Sequence, residues 1–287
     1  MSNCSGSRKA EPFYNPSCKG FPMKFNPENR FGPVYRKVLK GLEAQGSLVF
    51  MQVDPPELGV DKAGQIAKVA AEAGIDAFAV GGSVGAQGKL LDDVIIALKE
   101  NSKLPVILFP GNIATLSRHA DAVYFMYVMN SQDPYWSTGA QTAASYPVKQ
   151  LGLETIPTAY VIVEPGRAVG WISRAQVVPR SLSYLAGITA LAGQYMGASL
   201  AILESGGGAE SPAPKDMIAY TRKLVDIPIV VAGGIRSDTH AYDSVKAGAD
   251  ILHVGTAIEK CESDLGACKK IISGLCSAAR KAGKEKR

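Results

Sequence analysis

The sequence predicts one large α/β domain folded as a (β/α)8 barrel, and three observations favour that fold. Apolar runs alternate with amphipathic stretches in a βαβα order, which implies a parallel sheet. Eight such units fit into about 250 residues, the usual size of a closed eight-stranded barrel. The first run ends at Asp54 without the GxGxxG turn that usually follows the first strand of an open, doubly wound sheet.

Each predicted strand is a short, mostly apolar run that ends abruptly at a small, polar or proline residue, as buried parallel strands do. The eight predicted strands are Ser47–Asp54, Ala77–Ser83, Pro105–Pro110, Ala122–Asn130, Thr158–Glu164, Ser199–Glu204, Pro228–Ala232 and Ile251–Gly255. After a first helix from about Val34 to Ala44, the predicted helices are Val60–Ala73, Leu90–Asn101, Ser181–Met196, Pro214–Leu224, Thr239–Ala247 and Asp264–Lys281. The gap from Gly111 to Asp121 is too short for a helix and two loops, so we expect a loop to replace the third outer helix.

Composition limits the class of protein. Hydrophobic residues make up 46% of the 287 residues and charged residues 20%, which argues against disorder. No apolar run approaches the roughly 18 residues that cross a bilayer, and the start lacks the apolar segment of a signal peptide. Five of the 17 prolines lie in residues 1–33, which predicts a flexible extension ahead of a single barrel domain at 34–287. We expect a cytoplasmic protein.

The net charge of +5 is concentrated at the C-terminus, because residues 269–287 contain seven Lys or Arg and one Glu. This favours a solvated, basic helix end over loose attraction to anionic lipid or RNA, and we expect no nucleic-acid partner. The five cysteines have no CxxC spacing and no paired His nearby, which predicts reduced thiols and no zinc site.

Three glycine-rich strand ends late in the chain are the strongest functional signal. They are Glu204-Ser205-Gly206-Gly207-Gly208-Ala209, Ala232-Gly233-Gly234-Ile235-Arg236 and His253-Val254-Gly255-Thr256-Ala257. Glycine lets backbone N–H groups approach an anion, and the last loops of a barrel often hold a phosphate. A single Gly-Gly usually marks only a tight turn, but three such ends in the last three strands favour a phosphate site.

The first two strand ends carry oxygen ligands that suit a hard cation. Asp54 closes the first predicted strand and Ser83 closes the second, so both are expected at one edge of the sheet. Magnesium takes few protein ligands and completes its shell with water and substrate phosphate. The alternative is that Asp54 caps the following turn and Ser83 caps a helix. The residues alone leave both interpretations open.

Glu204 ends an apolar strand directly before a glycine-rich loop. Its carboxylate can accept a hydroxyl proton as a general base, or it can be a structural hydrogen-bond acceptor. His253 lies inside a strand, which favours a packed, neutral imidazole. Several aromatic and apolar residues around the middle strands can line a groove for a hydrocarbon tail: Tyr124, Phe125, Met126, Tyr127, Tyr135, Trp136, Tyr160 and Trp171.

Taken together, these segments resemble the geranylgeranylglyceryl phosphate synthase family of archaeal lipid enzymes, whose bacterial branch is the heptaprenylglyceryl phosphate synthases. The matching motifs are Val53-Asp54-Pro55, Val80-Gly81-Gly82-Ser83, Leu108-Phe109-Pro110-Gly111-Asn112, Met129-Asn130-Ser131, Tyr160-Val161-Ile162-Val163-Glu164-Pro165-Gly166, Ala168-Val169-Gly170-Trp171, Leu203-Glu204-Ser205-Gly206, Gly233-Gly234-Ile235-Arg236 and Gly255-Thr256. They are spread from about Val34 to Glu259, so the resemblance covers about three-quarters of the chain.

The resemblance implies a prenyltransferase that joins the 3-hydroxyl of sn-glycerol 1-phosphate to geranylgeranyl diphosphate, the first committed step of archaeal membrane lipid synthesis. It implies that Asp54 and Ser83 bind Mg2+ and that Glu204 and Asp54 are catalytic. The implied substrate-binding residues are Leu203, Glu204, Ser205, Gly206, Gly207, Gly208, Ala209, Gly233, Gly234, Gly255 and Thr256. It also implies a homo-oligomer, dimeric or larger, with at most peripheral membrane contact.

The chain departs from the family pattern at two places. Relatives commonly follow the first Asp-Pro with an acid and a Lys, where this chain has Pro56 and Glu57, so Lys62 and Arg236 become candidates for the basic contact. Relatives often carry a Tyr two residues before the glutamate, where this chain has Ile202, so no catalytic Tyr is assigned. The rival functions are a sugar-phosphate isomerase or aldolase on the same fold, and a catalytically silent relative that binds a phosphate or lipid.

Overall fold

The computed structural model describes residues 31–259 and 264–286, and its strands form one closed parallel barrel. The strands pair in chain order, and β8 closes the barrel against β1. Their bounds are β1 Leu48–Val53, β2 Ala77–Val80, β3 Val106–Leu108, β4 Ala122–Val128, β5 Glu154–Ile162, β6 Leu200–Glu204, β7 Ile229–Ala232 and β8 Ile251–Val254. The predicted TIM barrel is confirmed.

The chain divides into two units, Met1–Phe31 and Gly32–Arg287, and the barrel belongs to the second unit. The predicted flexible extension at 1–33 lies almost entirely outside the described residues. Its boundary with the barrel domain at 34–287 stays a prediction, although a helix already begins at Pro33.

Most helices lie where the hydrophobic periodicity predicts them. They are α1 Pro33–Gln45, α2 Pro55–Leu58, α3 Val60–Ala73, α4 Gly88–Asn101, α5 Ala140–Leu151, α6 Arg167–Ile172, α7 Ser183–Tyr195, α8 Lys215–Leu224, α9 Asp238–Ala247, α10 Thr256–Glu259 and α11 Leu265–Lys286. A π-helical turn at Tyr135–Gly139 leads into α5. The chain between β3 and β4, which is described throughout, contains turns and no helix, so the loop predicted in place of the third helix is confirmed.

Alternate strand residues pack into two separate layers. One set, including Val161 and Leu203, joins helix residues such as Ile66 in a single apolar cluster between barrel and helices. The other set meets inside the barrel. Phe109 directly follows β3 and His253 lies on β8, and these strands are not neighbours in the barrel. Their rings nevertheless lie only 5.3 Å apart. The period of two along each strand therefore separates the structural core from the barrel interior.

The fifth strand begins earlier than the sequence predicts. Its predicted start is Thr158, but pairing with β4 extends back to Glu154. The Glu154 carboxylate accepts hydrogen bonds from the amides of Val34 (2.7 Å) and Tyr35 (2.8 Å) at the start of α1. Amides in the first turn of a helix need acceptors from outside that helix, and the carboxylate serves as one across the chain. This contact spans 120 residues, so local patterning does not reveal it.

The basic C-terminal segment is partly neutralised within the fold. On α11, Arg280 pairs with Asp76 at 3.2 Å and Lys286 pairs with Asp250 at 2.7 Å. None of the described helices, including the 22 residues of α11, is long and apolar enough to cross a membrane.

One expectation about the cysteines is wrong. Cys276 is a buried, free thiol as expected, but Cys268 is disulfide-bonded. Spacing along the chain does not show which thiols meet in space, so the sequence pattern contains no sign of this bond.

Candidate active site

A cavity of about 580 Å³ opens at the carboxyl ends of the barrel strands. Parallel strands direct their carboxyl ends to one rim, so residues that are distant in the chain meet there. The predicted site residues that line the cavity are Asp54, Ser83, Glu204, Gly207, Gly208, Gly233, Gly234, Gly255 and Thr256. The proposed cation ligands and the glycine-rich loops therefore face the same space.

Four predicted binding residues do not line this cavity. Leu203 points outward into the apolar cluster, and Ser205 is fully buried with no hydrogen-bond partner for its hydroxyl. Gly206 donates its backbone N–H to Glu204, and the carbonyl of Ala209 accepts a hydrogen bond from Arg236. These residues fix the shape of the loop after β6.

The loops after β6 and β7 approach so closely that only glycine fits at two positions. Gly233 has φ +77°, and a Cβ there would lie 2.7 Å from both Glu204 Oε1 and the Gly206 carbonyl oxygen. Gly234 has φ +79°, and its Cβ would lie 2.2 Å from the carbonyl carbon of Ser211. The positive φ angles and the close contacts both exclude other side chains. The result is a rim of backbone without side chains, which is suited to an anion.

Glu204 is buried at the junction of these loops. Its Oε1 accepts the Gly206 N–H at 2.6 Å, and its Oε2 accepts the Tyr160 hydroxyl at 3.1 Å. Burial raises the pKa of Glu204 to about 7, although the two hydrogen bonds favour the charged form. A carboxyl group with this pKa that lines a cavity is suited to accept a proton near neutral pH.

Tyr160 is a site residue whose partner the sequence does not identify. Relatives often carry a tyrosine two residues before the glutamate, but this chain has Ile202 there, so the family pattern does not identify a tyrosine partner for Glu204. In the structure Tyr160 on β5 pairs in register with Ile202, and its hydroxyl reaches Glu204 farther along β6. The two partners lie 44 residues apart, so only the adjacency of their strands reveals the pair.

Asp54 lies at the rim of the cavity, and one of its carboxylate oxygens accepts no hydrogen bond from the described residues. Oδ1 is buried and has no partner, and the side chain does not cap α2. A Cβ on Gly82 would lie 2.2 Å from Oδ2, so this glycine admits the carboxylate. Burial and the nearby Glu57 raise the pKa of Asp54 to about 6. Gln87, and not Ser83, is the residue that precedes α4, so Ser83 does not cap that helix. Since the Asp54 side chain does not cap α2 either, both capping alternatives are wrong.

These donors fit a hard divalent cation with few protein ligands. Among residues 31–259 and 264–286, no group of three or more His, Cys, Asp or Glu side chains is placed to hold a metal. A site built on Asp54 and Ser83 would therefore depend on water and substrate oxygens for its remaining ligands, as magnesium sites commonly do.

The missing third helix creates an apolar groove on one side of the cavity. Val123 and Phe125 alternate with the inward-facing Tyr124 on β4, so they face the side that such a helix would cover. Apolar residues from β4, α5 and the neighbouring loops line the groove: Leu116, Val123, Phe125, Met126, Val128, Trp136, Ala144 and Val148. Of the aromatic residues that the sequence proposed for a groove, Tyr127, Tyr135 and Trp171 do not line it.

The cavity floor is a cluster of aromatic rings. The ring of Phe109 packs edge-on against the rings of both Tyr124 and Tyr160, and the Tyr124 hydroxyl lies 3.1 Å from His253 Nε2. Burial lowers the pKa of His253 to about 3, so its imidazole is neutral. The prediction of a packed, neutral histidine is confirmed.

Neither candidate for the missing basic contact projects into the cavity. Arg236 donates to the carbonyls of Gly208 (2.7 Å) and Ala209 (2.8 Å), which holds the loop after β6 in place. Lys62 lies on α3 and is not among the residues that line the cavity.

Comparison with known proteins identifies the family. Residues 45–274 match the PcrB family. The chain belongs to the PcrB family. Over 236 residues, 82% of this chain, it is 46% identical to geranylgeranylglyceryl phosphate synthase of Pyrococcus horikoshii, covering 92% of that protein. The corresponding enzyme of Thermococcus gammatolerans is 47% identical over 84% of this chain and 95% of its own.

A solved structure shares the fold of this chain over most of its length. The (S)-3-O-geranylgeranylglyceryl phosphate synthase of Thermoplasma acidophilum, solved with its substrate sn-glycerol-1-phosphate, superposes with a TM-score of 0.81. It is 30% identical, and the alignment covers 86% of this chain and 98% of that one. The family predicted from the strand-end motifs is therefore confirmed.

Proposed function

We propose that this chain is a geranylgeranylglyceryl phosphate synthase, which transfers a geranylgeranyl group from its diphosphate to the 3-hydroxyl of sn-glycerol 1-phosphate. This is the first committed step of archaeal membrane lipid synthesis. The observation that carries the proposal is one cavity with an anion-binding rim, an oxygen-ligand site and an apolar groove. A phosphorylated polyol and a long prenyl diphosphate need these three surfaces together. The names of its relatives agree with this chemistry.

Asp54 and Ser83 would hold the Mg2+ that this reaction requires. The orphaned Oδ1 of Asp54 and the space left by Gly82 support this assignment. When bound, the cation neutralises diphosphate charge and so makes diphosphate a better leaving group.

The protein's own residues would perform the remaining work. The backbone around Gly207, Gly208, Gly233 and Gly234 holds the phosphate, so the 3-hydroxyl is directed at C1 of the prenyl group. As that oxygen bonds to C1 and the bond from C1 to diphosphate breaks, Glu204 accepts the hydroxyl proton. Tyr160 orients the Glu204 carboxylate by its hydrogen bond. The groove holds the hydrocarbon tail and keeps water from the reacting carbon.

The decisive assay combines labelled sn-glycerol 1-phosphate, prenyl diphosphates of several lengths and Mg2+. We expect a labelled prenyl ether with wild-type protein. Because Asp54 would be the carboxylate ligand, Asp54→Ala should lower kcat by about 10³-fold or more, while calorimetry still detects glycerol phosphate binding. Undiminished activity of the variant would remove Asp54 from the mechanism. Ligand binding without ether formation by the wild type would indicate a silent relative.

We also expect a homo-oligomer, dimeric or larger, in the cytoplasm. Membrane contact would be peripheral and limited to delivery of an apolar product. Light scattering and cell fractionation would test these expectations.

A further inference from the structure

The ionisable side chains that line the cavity give it little attraction for an anion. Asp54, Glu57 and Glu204 are carboxyl groups, and burial keeps His253 neutral. No Lys or Arg is found among the lining residues of the described chain. A phosphate bound at the glycine-rich rim would therefore lack a charged partner from the protein, unless one extends from beside the cavity.

Arg167 lies immediately beside that rim. It follows Gly166 and begins α6. A Cβ on Gly206 would lie 2.6 Å from Arg167 Cβ, and a Cβ on Gly208 would lie 3.6 Å from Arg167 Nη2. Gly208 itself lines the cavity, so the guanidinium lies at the edge of the proposed phosphate site. The side chain is exposed, and it makes no hydrogen bond or ion pair with any other described residue.

The backbone of Arg167 is disfavoured for a residue with a side chain. Its φ is +45°, in the left-handed region that glycine occupies easily. Only one other described non-glycine residue, Arg174, has a positive φ, and its guanidinium lies 3.8 Å from Asp133 Oδ2. A long cation kept at such a position without a protein partner indicates a functional constraint.

The other two arginines at this loop are already engaged. Arg236 uses Nε and Nη2 to hold the carbonyls of Ala209 and Gly208, and Arg180 donates to the Pro212 carbonyl at 2.8 Å. Resting on the proposed function, we infer that Arg167 binds the phosphate group of glycerol phosphate from outside the glycine-rich rim. It is a substrate-positioning cation that supplies the charge which the cavity walls lack.

Calorimetric titration with sn-glycerol 1-phosphate and with inorganic phosphate tests this directly. We expect Arg167→Gly to weaken both ligands by about 10-fold, the size of one charge-assisted contact. Arg167→Lys should retain part of the affinity, since lysine keeps the positive charge but cannot make the bidentate hydrogen bonds of a guanidinium. Arg174→Gly is the matched control. It also replaces an arginine of positive φ by glycine, but the charge that it removes lies beside Asp133 and not at the rim. Its affinities should equal those of the wild type.

The outcomes separate this inference from the proposed function. Equal affinities for wild type and Arg167→Gly would overturn the role of Arg167, even if the enzyme forms the prenyl ether. Affinity that depends on Arg167 in a protein that forms no ether would keep the anion site and contradict the prenyltransferase. Failure of the wild type to bind either ligand would overturn both. The circular dichroism melting curve of Arg167→Gly should show no loss of stability, because glycine relieves the positive φ.

Discussion

The two sides of the cavity are built in opposite ways. On the β6–β8 side, glycines bring two loops so close that a single added Cβ would lie 2.7 Å from Glu204 and from the loop backbone. On the β4–α5 side, an apolar groove exists because no helix follows β3. The first side depends on the absence of side-chain atoms, and the second on the absence of a whole element. We therefore expect Gly233 and Gly234 to tolerate almost no substitution and the groove side to be adjustable.

The largest effect should come from Glu204→Gln on the glycine side. Loss of a general base lowers kcat by about 10²–10⁴-fold, with the KM for the prenyl diphosphate unchanged. Because the pKa of Glu204 is raised to about 7, the wild-type rate should fall as the pH drops below that value. Steady-state kinetics between about pH 5.5 and 9 measures the loss of kcat in the variant and the pH dependence of the wild-type rate. This range extends about 1.5 pH units below that pKa and about 2 above it. A variant that retains the wild-type rate would reduce Glu204 to a structural acceptor.

The same substitution has a stability effect with a defined sign. The pKa of Glu204 in the folded protein, about 7, lies above its ordinary value of 4.5, so the folded state binds more protons between these values. Stability contributed by the protonated carboxyl is present below pH 4.5 and is lost as the pH rises through 7. Glu204→Gln should therefore melt at a higher temperature than wild type at about pH 8, and this advantage should vanish near pH 4.5. Lower stability of the variant above the pKa would contradict burial as the cause of the shift.

A smaller effect is expected from Gly233→Ala. The new Cβ meets Glu204 and the Gly206 carbonyl in a positive-φ backbone, so unfolding free energy should fall by about 2–4 kcal/mol. The KM for glycerol phosphate should rise about 100-fold because the anion rim is displaced. Gly197→Ala is the control, since its φ is +101° but nothing lies within 4 Å of the added Cβ. It should cost only about 1–2 kcal/mol and leave turnover unchanged. Equal effects of the two variants on KM would show that strain alone, and not the rim, is responsible.

The smallest effect should come from the groove side. Ala144→Phe adds a ring to the groove and should shift preference toward shorter prenyl diphosphates by about 10-fold, because a few methylenes lose their contacts. The KM for glycerol phosphate should not change. Ala143→Phe places the same ring on the exposed face of α5 and serves as the control. If the two variants show the same chain-length profile, the groove does not hold the tail.

The features that sequence alone predicts are those whose cause is local. The period of apolar residues places α3 at Val60–Ala73, and glycine runs mark the strand ends that line the cavity. The length of the chain between β3 and β4 is enough to predict the missing third helix. In contrast, the bond from Tyr160 to Glu204 and the contact of the Glu154 carboxylate with the start of α1 join residues 44 and 120 positions apart. No pattern within a strand contains that information.

The central claim is that a cation on Asp54 and a phosphate on the glycine-rich loops occupy one cavity. Replacing Mg2+ by paramagnetic Mn2+, which accepts the same oxygen ligands, allows ³¹P relaxation of bound sn-glycerol 1-phosphate to report their separation. We predict strong, saturable broadening of the ³¹P signal with wild-type protein, and loss of that broadening with Asp54→Ala although the ligand still binds. The same weak broadening in both proteins would contradict a shared cavity.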